Sequence, residues 1–148
     1  MNPFIAILSL ILTAGIVSGQ ITQEMQQQFE KQIKVAVKKA SIEEFYACCA
    51  WEGLSDDDIV RLQHDRKEIF ARMLLLGPDI TLIFHDPVTS RFKKADMRER
   101  LQGKSQLVPT PPAEMFVEVC PISSPTDGLL LPVTILHGQL KHIAWKKE

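Results

Sequence analysis

Ile80-Thr81-Leu82-Ile83-Phe84, bounded by Pro78 and Pro87, is where the chain changes its period. The run is β-branched and aromatic, and it reads as a strand. Upstream of it, apolar residues recur every three or four positions. Met25, Phe29, Ile33, Ala36 and Ala40 form one helical face, with Thr22 placed to cap it. Ser41-Ile42-Glu43-Glu44 has the form of a capping box and opens a second helix. Its stripe is Ile42, Phe45 and Cys49, and Gly53 is suited to stop it. Ser55-Asp56-Asp57-Asp58 starts a third, with stripe Ile59, Leu62, Ile69, Phe70, Met73 and Leu74 and a stop at Gly77-Pro78.

Downstream the periodicity is that of strands. Met115 to Cys120 (MFVEVC) is a second strand, closed by Pro121. Pro125 to Gly128 has turn composition. Val133 to Leu136 and Leu140 to Trp145 flank His137-Gly138-Gln139 and read as a terminal hairpin. Pro132 has no N–H to donate, so its strand starts after it or lies at an edge. Leu107 to Pro112 reads as loop, and Arg91 to Lys104 fits either helix or strand. Helices followed by antiparallel strands give an α+β domain: N-terminal helices packed on a curved antiparallel sheet that ends in a hairpin.

The segments SIEEFYACCAWEG (41–53) and VTILHGQLKHIAW (133–145) resemble in outline the NTF2-like (SnoaL-type) cone fold. Cystatin-like domains and small uncharacterised exported bacterial proteins share the same helix-then-meander outline. The resemblance implies helices lying across a curved sheet, with polar residues of the inward strand face lining a pocket. Tyr46, Trp51 and His85 are then the expected binding residues.

The 148 residues suit a single domain, and 45% hydrophobic content with a net charge of −1 excludes wholesale disorder. That balance gives no electrostatic case for nucleic acid. Charge is unevenly spread. Residues 91–104 carry six basic side chains against two acidic, and residues 41–58 carry six acidic and no basic ones. The basic stretch is read as a solvated face or an internal electrostatic match. Phe4 to Val17 is an apolar run with small residues Ser18 and Gly19 behind it, the shape of a secretory signal peptide. Residues 1–19 are therefore expected to be a signal peptide or an uncleaved anchor, and 20–148 the domain. The expected location is periplasmic or secreted. A membrane is a partner only where residues 4–17 stay attached.

No Walker loop, G-x-G-x-x-G or G-x-S-x-G occurs, and no cofactor is expected. His64, His137 and His142 lack zinc-type spacing, so no metal is expected. Asp56 to Asp58 reads as helix capping rather than a calcium loop. Cys48 and Cys49 read as packed small hydrophobes, with a disulfide from one of them to Cys120 as the alternative in an oxidising compartment. His85-Asp86-Pro87 closes the first strand. His85 and Asp86 are the catalytic candidates, a base and its carboxylate, although strand neighbours point to opposite faces. The leading expectation is a non-enzymatic domain that binds a small molecule or a protein partner. The alternatives are a cone-fold pocket enzyme using His85 and Asp86, and a membrane-tethered accessory protein.

Overall fold

The computed structural model describes residues 20–92, 105–106, 113–125, 128–143 and 145–146. The expectations for residues 1–19 and 107–112, and for all but the first two residues of 91–104, lie outside the described residues. Among the described residues three helices come first: α1 (Gln23–Lys39), α2 (Ile42–Ala47) and α3 (Asp56–Leu75). Strands follow: β1 (Ile80–His85), β2 (Ser105–Gln106), β3 (Met115–Pro121), β4 (Leu129–Leu136), β5 (Gln139–His142) and β6 (Trp145–Lys146). Four of them pair antiparallel in the order β1-β3-β4-β5, and β2 pairs with β6. The four-stranded sheet curls as a half-barrel with the helices packed on it, an α+β fold. Among the described residues no helix is long and apolar enough to cross a membrane.

The three helix starts follow from their caps. Thr22 Oγ1 accepts from the Met25 N–H at 3.2 Å, Ser41 Oγ from Glu44 at 3.3 Å and Ser55 Oγ from Asp58 at 3.2 Å. The return half of the Ser41 capping box is not made. The Ser41 N–H already donates to Ala36 O at 3.0 Å, because Ala40 closes α1 in the left-handed region at φ 49°. The Glu44 carboxylate turns instead to Lys39 Nζ at 3.2 Å.

α2 stops at Ala47, six residues before Gly53. Beyond it the backbone runs alongside β5: His142 N–H donates to Cys48 O at 2.8 Å, and Ala50 N–H to His142 O at 2.9 Å. Two strand-type bonds to a residue far along the chain outcompete another turn of helix. Cys48 and Cys49 therefore lie past the helix end rather than in its middle.

Because strand side chains alternate, the register sorts the sheet into two faces. Ile80, Leu82, Met115, Val117, Val119, Leu131, Val133 and Leu140 join Phe29, Ile33, Ala36, Phe45, Phe70 and Met73 in the main core. The opposite face carries His85, Phe116, Glu118 and Cys120 from β1 and β3. There Phe116 packs with Ala50, Ala113 and Ile143 in a smaller apolar cluster. β3 is covered on both faces, which explains why all of Met115 to Cys120 is buried. Pro132 lies inside β4, opposite Phe116. Its carbonyl faces Ile143 N at 3.1 Å, so its missing N–H falls just beyond the last β4–β5 rung, Val133↔His142. The hairpin turn uses His137 and Gly138, both at positive φ (50° and 73°).

Candidate functional site

Two features meet at the end of β1. Phe84 points to the helix side and stands edge-on to Phe29, with ring centroids 6.4 Å apart. Beside it a cleft of about 380 Å³ opens, lined by Ile21, Phe84, Pro87 and Met115 with Gln20, Gln26, Asp86 and Glu114. Its lining joins apolar side chains with two amides and two carboxylates. That volume lies within the range of small-molecule sites, roughly 300–1,000 Å³.

Asp86 is fixed by the turn that follows. Its Oδ1 accepts the Val88 N–H at 2.8 Å and the Thr89 N–H at 2.9 Å. The Thr89 bond, then the Val88 bond, holds its carboxyl below the usual carboxylate range, so it is ionised at neutral pH. The same turn, closed by Ser90 N–H to Asp86 O at 3.2 Å, brings Ser90 back under β1.

His85 points the other way and does not pair with Asp86. Its Nδ1 lies 2.6 Å from Ser90 Oγ, and its Nε2 lies 3.6 Å from Glu118 Oε1. Both Glu118 oxygens also accept from Arg91 Nη2, at 3.2 and 3.1 Å. The Glu118 side chain is 5% exposed and that of Arg91 62%, so the buried carboxylate is met by a guanidinium reaching in from solvent. Phe92 sets its ring edge-on to His85 at 4.7 Å. Glu118 was legible as one charge inside the apolar run MFVEVC. Ser90 and Arg91 carry no such mark.

Tyr46 and Trp51 belong to the helix layer, not to the His85 face. Trp51 Nε1 donates to Tyr46 O at 2.8 Å, the two rings cross at 5.4 Å, and Tyr46 Oη donates to Gln63 O at 3.2 Å. Arg66 lies over the Trp51 ring at 4.0 Å. This guanidinium is fully buried, and its Nη2 donates to Ala50 O at 3.0 Å and His142 O at 3.3 Å. Arg66 thereby ties α3 to the 48–50 segment and β5. Its place on the stripe between Leu62 and Phe70 was the available signal.

Cys48, Cys49 and Cys120 are all free and buried. Cys48 and Cys49 lie in the core on the helix side, while Cys120 shares the other face with Glu118. The sheet separates them, and no bridge to Cys120 forms. Burial pushes the Cys48 thiol up to about 11, Cys49 to about 12 and Cys120 to about 11, which disfavours the reactive thiolate. Among the described residues no group of three His, Cys, Asp or Glu side chains could hold a metal ion. His137 Nε2 pairs with Glu52 at 2.5 Å and His64 faces Glu68 at 3.6 Å, both on the surface. His142 is buried, with Nδ1 at 3.0 Å from Pro132 O.

No family model matches the chain, and neither a curated protein nor a solved structure matches it.

Proposed function

We propose that this is a small-molecule-binding domain and that the cleft beside Phe84 is its site. The cleft carries the reading: Ile21, Phe84 and Met115 line it together with Gln20, Gln26, Asp86 and Glu114. Among the described residues no Lys or Arg lines it, and Asp86 keeps its negative charge. The chemistry favoured is a small organic cation with an apolar body, held by contact with the Phe84 ring and by the carboxylates. The proposed setting is extracytoplasmic, on the strength of the apolar run Phe4 to Val17 and the small residues after it.

Phenethylammonium and phenylacetate, two probes of one skeleton and opposite charge, test the reading by amide NMR titration. The cation should shift Ile21, Phe84 and Met115, and the anion should not. Glu114→Gln should weaken the response about fivefold, as expected for a lining carboxylate contributing about 1 kcal/mol. Equal responses to both probes, or none in the cleft, would refute it.

A further inference from the structure

On the sheet face away from the cleft, Ser90, His85 and Glu118 stand in sequence, and we infer that Ser90 is a nucleophile activated by His85. Ser90 Oγ is 2.6 Å from His85 Nδ1, within reach of direct proton transfer. The other ring nitrogen faces the buried Glu118 carboxylate at 3.6 Å. That separation is longer than a hydrogen bond, as such contacts often are before a substrate arrives. With Nε2 protonated toward Glu118, Nδ1 is left as the acceptor for the serine proton. The buried Nε2 has no hydrogen-bond partner and faces the Glu118 carboxylate, which Arg91 holds in place.

Three further observations support the arrangement. The Phe92 N–H donates to Ser90 Oγ at 3.3 Å, which stabilises negative charge on that oxygen. The Phe92 ring, edge-on to His85, restrains the imidazole. Ser90 is only half-buried, so the residue reaches solvent. Phe92 also lies 6.3 Å from Phe116, whose cluster includes the half-buried Leu130 and Leu136. An apolar surface beside the nucleophile points to esters of small apolar acids as the substrate class.

The step is acyl transfer. Ser90 Oγ bonds to the acyl carbon as its proton passes to His85 Nδ1. The ester C–O bond breaks, and the leaving alcohol takes that proton. Water then repeats the exchange, releasing the carboxylic acid and restoring Ser90. Ser90 and His85 are the reacting groups, and Glu118 is a positioning residue.

An alkyl fluorophosphonate reports the nucleophile directly: the Ser90 O–P bond forms, the P–F bond breaks and fluoride leaves. The full chain is incubated with the probe and its peptides are weighed. The expected result is an adduct on Ser90, absent in Ser90→Ala and formed about 100-fold more slowly in His85→Gln. In Glu118→Gln the rate should fall, and Glu118→Asp should restore part of it, because the carboxylate that faces Nε2 orients the ring. Should His85→Gln fail to fold, the wild-type pH profile decides. A rate that levels off once one group has lost its proton supports the assignment. A rate proportional to hydroxide throughout overturns it. So does Ser90 labelling no faster than the exposed Ser123, or labelling as fast without His85.

Discussion

Lowering the pH from about 7 to about 5 offers His142 a proton that it cannot accept while the protein is folded. The imidazole is 2% exposed, stacked 6.2 Å from Phe45. Burial first, and the Arg66 cation second, pull its pKa down to about 3, against the small upward pull of the Pro132 carbonyl. In the unfolded chain the same ring titrates near 6.5. The folded pKa is the lower one, so the contribution to stability is fully present above about 6.5. It is lost as the pH falls from there towards about 3. Each pH unit inside that window costs about 1.4 kcal/mol, and the step from pH 7 to pH 5 costs about 2 kcal/mol. Urea unfolding followed by circular dichroism at both pH values measures this for the wild type and for His142→Gln. The glutamine amide preserves a donor for Pro132 O but does not titrate. The wild type should lose about 2 kcal/mol more than the variant on acidification, since every other group is common to both. An equal loss in both proteins would refute the account of His142 as a neutral ring beside a buried guanidinium.

Arg66→Met and Arg66→Ala separate the charge from the volume at the α3–β5 junction. Burial works against the charged guanidinium, whose pKa it lowers, so the methionine, which keeps most of the stem, should unfold within about 1 kcal/mol of wild type. The alanine leaves a cavity beside Trp51 and should cost about 3 kcal/mol in the same urea titration. Gly128→Ala places a Cβ 2.4 Å from Glu118 Cγ and 2.7 Å from Cys120 Sγ. The resulting overpacking of β3 should cost about 1–3 kcal/mol by thermal unfolding. Ellman titration of native protein at pH 8 should find none of the three thiols reactive, and all three reactive in denaturant.

Local chemistry was enough to read the helix starts, the change of period at Ile80 and the hairpin at Gly138. A cap hydroxyl, an apolar spacing of three or four, or a glycine at positive φ acts within a few residues, so the signal lies in neighbouring letters. Thr22, Ser41 and Ser55 sit at the N-caps for that reason. Glu118 and Arg66 were half legible, as charges at apolar positions.

What required the folded chain was every choice between a local preference and a distant partner. α2 ends at Ala47 because His142, 94 residues after Cys48, bonds to that backbone. Pro132 is tolerated inside β4 because the neighbouring strand's ladder stops one rung short of it. His85 meets Glu118 rather than Asp86 because β1 and β3 pair in a register that sets Ile83 opposite Glu118. A single strand turns adjacent residues to opposite faces, and the carboxylate for His85 comes from the strand alongside. Which side chains share a face is a property of pairing, and pairing is settled only when the sheet has formed over the helices.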